Sequence, residues 1–325
     1  MKPSRGIQKG RMNRRAISLL INIGLIALLL AFFAPAFFEP ANLRDLLISN
    51  VPVLIVALGM TLVILTGQID ISVGSQFALA SVAAGVLAKS GLPNIFVALA
   101  AAAIGALLGS INGALVAKVR IPSIVVTLAT MVALRDALRW ATEGAWVENL
   151  PSSFQWFGGS QAWSDTISVA TTAVLAIFLQ WSLRNLAAGR AVYAVGSNEQ
   201  AARLAGIEPG RITFAVFAIT GALTGLAAMF NAVRFHQVPS NSGLGMEMRV
   251  IAAVIVGGTS VTGGKGSIAG TVLGVVLLAI IGPALTFLGV SAYWERALQG
   301  GIILTAVAAE AIGGRGRKAL DAQPA

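Results

Sequence analysis

The stretch G-R-A-V-Y-A-V-G-S-N-E-Q-A-A-R-L-A-G-I, residues 189–207, is polar and lies between two apolar runs that are each long enough to cross a membrane. Ser197 and Gln200 have the spacing of a capping box, in which both side chains satisfy backbone N–H groups at a helix start. Gly206 followed by Ile207 is typical of a left-handed helix stop. The stretch therefore predicts a short helix presented on one side of a membrane. A docking element and an ordinary helical loop are both compatible with it.

The composition indicates a membrane protein. Of the 325 residues, 56% are hydrophobic and only 11% are charged, whereas a soluble domain carries about 25% charged residues. So few charges cannot cover a water-facing surface, and we expect lipid to be the solvent. With no Cys and a single His, disulfides and sites with several His ligands are excluded, and we expect neither a metal nor a cofactor.

The hydropathy predicts an all-α, polytopic protein with about ten transmembrane helices. We expect a basic cytoplasmic tail at residues 1–16, a transmembrane domain at 17–312 and a second cytoplasmic tail at 313–325. The eighth span is short and rich in Gly. The predicted spans are 17–38, 46–66, 71–88, 94–117, 124–140, 166–183, 212–233, 250–261, 267–288 and 293–312.

The basic residues predict the orientation. The net charge is +10, and six basic residues lie in residues 1–16 and three in residues 313–325. Lys and Arg are enriched on the cytoplasmic side of membrane proteins, so this excess indicates two cytoplasmic termini rather than nucleic-acid binding. Lys89, Arg234 and Arg249 fall on the outer side and are exceptions. Alternating ten spans places residues 189–207 in the cytoplasm.

Two Gly-rich hairpins lie in different halves of the chain, TGQIDISVGS at residues 66–75 and GGTSVTGGKGS at residues 257–267. Gly-interrupted helices in both halves point to a transport pathway. Asp70 is an ionisable group at the membrane. Either Asp70 or Ser72 is expected to cap the third helix by accepting N–H groups there, or Asp70 acts directly in coupling or gating. The residues predicted to gate or to shape these hairpins are Gly67, Asp70, Ser72, Gly74, Gly257, Gly258, Gly263, Gly264 and Gly266.

The residues give no enzyme signature. The sequence around Lys265 superficially resembles a phosphate-binding loop, but Gly266 stands where a Walker A motif needs Ser or Thr, and Thr259 stands where it needs Gly. The carboxylates form no pair suited to acid–base chemistry. Gly105, Gly109 and Gly113 recur at every fourth residue, which predicts close helix packing and not chemistry.

Three segments resemble motifs of one family, the inner-membrane permeases of bacterial ABC importers for sugars, which include permeases for ribose, xylose, galactose, rhamnose and autoinducer-2. The motif TG-x-ID-[IL]-SVGS matches residues 66–75, GR-x-x-YA-x-G-x-N-x-x-AA-x-x-x-GI matches residues 189–207, and IAAV-x-x-GGTS-x-x-GG-x-GS matches residues 251–267. The likeness runs from Asn42 to Ala309. Gln68 and Pro283 depart from the common pattern.

The resemblance implies a location and a set of partners. We expect a multi-pass protein of the bacterial inner membrane that pairs with a second permease, identical or homologous. Two cytoplasmic ATPases, a periplasmic solute-binding protein and membrane lipid are the other implied partners. The resemblance makes Ser197 to Ala205 a coupling helix that docks on an ATPase. The candidate residues in and around it are Arg190, Ser197, Asn198, Gln200, Ala201, Ala202, Arg203 and Gly206.

The sequence also offers candidates for the solute path and for the solute. Polar side chains inside or beside the predicted spans are candidates for lining the path: Gln68, Asn112, Thr127, Thr130 and Asn231. A rhamnose-type deoxyhexose, another aldose and autoinducer-2 all remain open as solutes. Two other functions also remain open. One is a secondary transporter driven by an ion gradient, with Asp70 and Asp136 as its relay; the other is a membrane scaffold or sensor.

Overall fold

The computed structural model describes residues 6–291, 293–295, 297–298, 300–301 and 304–305, with side chains from residue 17 onward. In this part of the chain the regular structure is helical, apart from one isolated bridge between Val147 and Val238. The all-α prediction is therefore confirmed. The α-helices are α1 (Gly6–Phe33), α2 (Pro40–Leu65), α3 (Val73–Lys89), α4 (Asn94–Ala117), α5 (Ser123–Thr142), α6 (Gln161–Asn185), α7 (Ala187–Ser197), α8 (Glu199–Leu204), α9 (Pro209–Ala232), α10 (Met246–Val256) and α11 (Ile268–Phe287).

The long helices agree with the predicted membrane spans. Five of them are long and apolar enough to cross a bilayer, namely α2, α4, α6, α9 and α11. Two shorter apolar helices, 17–33 within α1 and all of α3, accompany them. The short, Gly-rich eighth span corresponds to α10, which has 11 residues. Most of the predicted tenth span and the tail at 313–325 lie outside the described residues.

Two helix starts follow from proline. α2 and α9 begin with Pro40 and Pro209, a position where the missing N–H costs nothing and the fixed φ suits a helix. Pro283, which departs from the family pattern, lies inside α11, and the helix continues past it to Phe287.

The core of the molecule is built around α2 and α9. The second half of α2 is enclosed on all sides, and Ile55, Leu58 and Ile64 are fully buried. A helix that is apolar all round must be surrounded by other helices or by lipid, and here α9, α11, α10 and α6 cover it.

α4 and α9 form the most extensive helix pair. A Cβ added at Gly105 would collide with the carbonyl oxygen of Gly221, and one added at Gly109 would collide with that of Phe217. The two backbones therefore touch, which small residues alone permit. The close packing predicted from the Gly repeat in α4 is confirmed. Leu99, Leu107 and Ile111 of the same helix are exposed and form an apolar surface suited to lipid.

Candidate functional site: a docking helix on a junction of three motifs

The short helix expected in residues 189–207 is present, but its start differs from the prediction. α7 runs through Ser197, and α8 begins at Glu199 with Asn198 as its N-cap. The Asn198 side-chain oxygen accepts the backbone N–H of Ala201 at 2.9 Å. The expected capping box of Ser197 and Gln200 is therefore wrong by one residue: Asn198 has the extended φ and ψ of an N-cap (−163° and 105°), while Ser197 is still helical.

The end of α8 is the left-handed stop that the sequence predicted. Gly206 has φ = 80°, a conformation that glycine adopts without penalty. Its N–H donates to the Arg203 carbonyl at 3.1 Å, and the Ile207 N–H donates to the Ala202 carbonyl at 3.0 Å. These two bonds form a Schellman motif. The helix is thus held at both ends by local hydrogen bonds.

α8 presents a small surface with one large apolar side chain. Leu204 is 92% exposed, and Gln200, Ala201 and Ala205 are also exposed, while Ala202 is buried against the protein. Arg203 pairs with Glu199 at 2.9 Å on the outer face of the helix. A helix that exposes an apolar side chain can dock in an apolar groove of a partner. Sequence reasoning did not single out Leu204, because a leucine in a helix usually belongs to the core.

α7 connects α8 to the two Gly-rich hairpins at a single place. The N–H of Gly264 donates to the carbonyl of Leu65, the last residue of α2, at 2.9 Å. A Cβ added at Gly196 would overlap that same carbonyl oxygen and the N–H of Gly264. We call this meeting of Leu65–Gly67, Gly196–Ser197 and Gly263–Gly266 the three-motif junction. The structure thus brings together the three segments that the sequence singled out separately.

A side-chain contact adds to the backbone contacts of the three-motif junction. The Tyr193 hydroxyl donates to the Gly266 carbonyl at 2.9 Å. Burial raises the pKa of Tyr193, and the charge of Arg184 lowers it by less. The phenol therefore keeps its proton and its role as a donor at neutral pH. Arg190, also expected in the coupling segment, is exposed and donates to the Asn185 carbonyl at 3.0 Å.

The hairpin after α2 contains a buried polar cluster around Asp70. One Asp70 carboxylate oxygen accepts the backbone N–H of Ser72 at 2.9 Å and its hydroxyl at 2.6 Å; the other accepts the Gln76 amide at 3.2 Å. The Ser72 hydroxyl in turn accepts from Gln76 at 2.7 Å and from Asn112 at 2.8 Å. Ser72 occupies the N-cap position of α3 without accepting a helical N–H. Asp70 thus holds Ser72, the residue just before α3, but neither side chain accepts a backbone N–H group of the helix itself, so the expected cap is not formed and a gating role stays a prediction.

This cluster, which we call the Asp70 network, joins three helices. Asn112 of α4 connects α3 to α5, because its side-chain oxygen accepts the Thr130 hydroxyl at 2.7 Å. Thr127 of α5 donates to the Ser123 carbonyl at 2.8 Å, and the Ser123 hydroxyl accepts the Ile69 N–H at 3.2 Å. Asn112, Thr127 and Thr130 were proposed for the path. The structure gives them hydrogen-bond partners inside the protein, and a role in the path stays a prediction.

The second hairpin is held by close backbone contacts. Gly257 packs against Gly270 at the start of α11, and the Ser260 N–H donates to the Lys265 carbonyl at 2.8 Å. Deeper in the core, the hydroxyls of Thr61 and Thr271 lie 2.7 Å apart and join α2 to α11. The position of the hairpin is therefore tied to the positions of both helices.

The other two candidate path residues lie far apart. Gln68 is half-buried beside the three-motif junction. Asn231 lies near the C-terminal end of α9, and α8 precedes the N-terminal end of that helix. Asn231 lines an open cavity of about 360 Å³, which we call the vestibule. Asp136, the second member of the alternative ion relay, is exposed on α5, while Asp70 is fully buried. The residues that line the vestibule are Ser49, Pro52, Val53, Phe77, Asn231, Phe235, Gln237, Pro239, Ser242, Gly243, Leu244, Met246 and Arg249.

Comparison with known proteins places the chain in a family of membrane permeases. The family model described as "Branched-chain amino acid transport system / permease component" matches residues 42–307. The ribose import permease RbsC of Escherichia coli K12 is 37% identical over 298 residues, 90% of this chain and 91% of the relative. The autoinducer-2 import system permease LsrC of Enterobacter sp. strain 638 is 37% identical over 310 residues, 95% of this chain and 89% of the relative. No solved structure matches.

The family resemblance inferred from the three motifs is therefore confirmed. The family implies a separate ATPase and a periplasmic binding protein as partners. Because the family model and the two relatives each cover most of the chain, the protein belongs to this family and is a multi-pass inner-membrane permease subunit of an ATP-driven importer, not an enzyme.

Proposed function

We propose that this permease imports a monosaccharide-like solute, either a rhamnose-type deoxyhexose, another aldose or autoinducer-2. The similarity to relatives named for ribose and for autoinducer-2 import over about nine-tenths of the chain carries this proposal. The permease itself needs only modest affinity, because a separate periplasmic binding protein selects and concentrates the solute.

α8 is the element on which the ATPase acts. It projects from the three-motif junction, it is fixed by hydrogen bonds at both ends, and its outer face is exposed. The excess of basic residues in the two termini supports a cytoplasmic position for α8 and for both termini. Two permeases, two ATPases and one binding protein, surrounded by lipid, then make up the importer.

The three-motif junction supports a mechanism for coupling. When ATP closes the two ATPases, the two α8 helices move together. α7 carries that displacement to the end of α2 and to the 263–266 loop, since their backbones touch. α2 and α11 then shift relative to the rest of the bundle, and the path opens alternately to the two sides. Interfaces packed this closely transmit small displacements because they are nearly incompressible.

Reconstitution in proteoliposomes tests the proposal. Proteoliposomes that contain the permease, its ATPases and the binding protein should accumulate radiolabelled monosaccharide only when ATP is present in the lumen, on the same side as the ATPases. Uptake that persists without ATP or without the ATPase would refute the proposal. Collapsing the proton gradient while ATP stays high separates it from the ion-driven alternative, which predicts that uptake stops. Unchanged uptake in cells that lack the permease would favour a scaffold or sensor.

A charge reversal on α8 tests the docking role. Arg203→Glu should uncouple ATP hydrolysis from uptake while leaving membrane insertion intact, because it places a repulsive charge beside Glu199 on the docking face. Arg211→Glu is a matched control, since Arg211 is also exposed and paired, with Glu208 at 2.6 Å, but lies outside α8. The control variant should keep wild-type uptake, and wild-type uptake in Arg203→Glu as well would count against the docking role. A reporter fusion at residue 200 that placed it in the periplasm would exclude that role.

A further inference from the structure

The vestibule offers polar side chains that bind nothing else in the described part of the protein. Ser49 of α2, Asn231 of α9 and Gln237 of the following segment have no side-chain hydrogen-bond partner there. Together they present one hydroxyl and two amides, each of which can both donate and accept. Three such groups facing one open space are suited to a ligand that carries several hydroxyl groups.

Two phenylalanine rings contribute to the apolar part of the vestibule. Phe77 of α3 is almost fully buried in its wall, whereas Phe235 is 47% exposed beside Gln237. Ring faces carry negative charge density that attracts the positive side of a C–H bond. A volume of about 360 Å³ is at the lower end of the range for ligand sites, about 300–1,000 Å³. Such a site suits one small molecule with both hydroxyl groups and C–H faces.

The charges around the vestibule disfavour an ionic ligand. Arg249 is the charged residue among those that line it, and its guanidinium pairs with Glu295 at 3.3 Å. An anion would have to compete with Glu295 for Arg249, and a cation would meet no carboxylate in the lining. Because the Arg249–Glu295 pair has no net charge and the other polar lining groups are neutral, the lining offers an ionic ligand no uncompensated opposite charge.

The lining of the vestibule is connected to the Asp70 network through the segment around Gly243. A Cβ added at Gly243 would collide with the Gly74 carbonyl and with the Phe77 ring, so the vestibule-lining segment around Gly243 is packed directly on the start of α3. Gln76, next to Phe77, belongs to the Asp70 network and is fully buried. Phe77, which lines the vestibule, is therefore the sequence neighbour of a residue whose side chain belongs to the Asp70 network.

From this geometry we infer that the vestibule is a solute site of the permease itself, and that it takes a neutral monosaccharide. The amides of Asn231 and Gln237 and the hydroxyl of Ser49 bind the sugar hydroxyl groups, and Phe77 and Phe235 contact its C–H faces. The site rejects phosphorylated sugars. This inference rests on the proposed import function and assigns to these residues the selection of the solute after the binding protein has released it.

Uptake measurements with the complete importer test the site. The probe is whichever of D-ribose, D-xylose, D-galactose and L-rhamnose the wild-type importer accumulates in proteoliposomes. Asn231→Ala/Gln237→Ala should lower the initial uptake rate by about tenfold or more, the effect expected for losing two hydrogen bonds to a ligand. Asn241→Ala is the matched control, because Asn241 is an exposed amide in the same segment that does not line the vestibule. It should retain wild-type uptake.

Site-specific thiol labelling detects occupancy without relying on transport. Since the chain contains no Cys, Asn231→Cys and Asn241→Cys each carry a single thiol. A membrane-impermeant methanethiosulfonate should modify Cys at either position in the complete importer. The transported sugar at millimolar concentration should slow modification at position 231 and not at position 241, and D-ribose 5-phosphate should slow neither.

The possible outcomes separate this inference from the import function. Suppose that the wild-type importer shows ATP-dependent sugar uptake. The vestibule site is then overturned, and the import function stands, if the double variant transports at the wild-type rate or if the sugar does not slow modification of Cys at position 231. Equal protection by the phosphorylated sugar would overturn the selection of neutral solutes. If the wild-type importer accumulates none of the four sugars, the assignment of the vestibule to a neutral monosaccharide is overturned, whereas the import proposal fails only if autoinducer-2 is not accumulated either.

Discussion

The two ends of the helical bundle are built on opposite principles. At the three-motif junction, backbone contacts backbone, and a single methyl group at Gly196 has no space. At the vestibule, polar side chains surround an open volume, and several of them have no partner in the described part of the chain. The first arrangement is suited to the proposed transmission of displacement, because its backbones are already in contact. The second can bind and release a solute, because its groups are free. The difference is consistent with the proposed force transmission at one end and the proposed solute contact at the other.

The largest effect should come from filling the three-motif junction. We expect Gly196→Ala to destabilise the protein by about 1–3 kcal/mol or more, the range for overpacking a tight core, since its Cβ would overlap the Leu65 carbonyl oxygen. Thermal unfolding in detergent measures this. Gly24→Ala is the control, because no atom lies within 4 Å of an added Cβ there. Equal melting temperatures for the two variants would contradict the tight junction.

Removing the carboxylate of the Asp70 network should have the next largest effect. Asp70→Ala leaves the Ser72 N–H and the Gln76 amide without their acceptor, and an unsatisfied buried polar group costs about 1–3 kcal/mol. Asp70→Asn keeps one oxygen acceptor and should be less damaging. The same unfolding assay compares the two. A variant with Asn that is as unstable as the one with Ala would show that charge, and not hydrogen bonding, matters most at this position.

A change at the end of α8 should affect coupling more than folding. Gly206→Val places a β-branched residue at φ = 80°, a conformation that costs such residues roughly 1–2 kcal/mol. Because the strain is local to an exposed helix end, we expect a loss of ATP-driven uptake with normal membrane insertion. Gly206→Asn should be tolerated, since Asn also adopts this conformation. Full uptake in the variant with Val would mean that the Schellman stop is dispensable.

Truncating the exposed leucine should weaken docking and leave stability unchanged. Leu204 is 92% exposed, so Leu204→Ala loses little contact within the permease. If this side chain anchors the ATPase, the Kd of the complex between ATPase and permease should rise about tenfold in the variant, as for a hot-spot residue worth more than about 1 kcal/mol. Titration of the purified ATPase on nanodisc-embedded permease measures the change. An unaltered Kd would move the docking contact to other residues of α8.

The smallest effect on stability is expected at the vestibule. Asn231→Ala removes a side chain that has no partner in the described part of the chain, and such surface changes usually fall within about 0.5 kcal/mol. Thermal unfolding should therefore give a wild-type melting temperature. A marked drop would show that Asn231 has a structural role, and it would weaken the contrast between the two ends.

Local structure could be predicted from the sequence to a large extent. Hydropathy placed α4 at residues 94–117, as observed, and the Gly206–Ile207 pair correctly indicated a left-handed stop, because both signals depend only on neighbouring residues. The N-cap was misplaced by one residue, since Ser197 and Asn198 are both good caps and only the backbone geometry distinguishes them.

Long-range arrangement could not be predicted in the same way. No feature of one sequence shows that Leu65, Gly196 and Gly264 touch, because the contact is set by how several helices pack. The exposure of Leu204 is hidden for the same reason. Asn112 and Thr130 were recognised as polar residues in apolar helices, but their bond to each other depends on the relative rotation of α4 and α5.

The contact between α4 and α9 restricts the motions available to a transport cycle. Carbonyl oxygens of each helix lie where a methyl group of the other would be, at Gly105, Gly109, Gly221 and Gly225. Sliding or rotating one helix against the other would bring larger neighbouring residues into these positions and force the backbones apart. We therefore expect α4 and α9 to move as one rigid body. Two spin labels, one on each helix, should keep the same separation in the ATP-bound and nucleotide-free states of the importer.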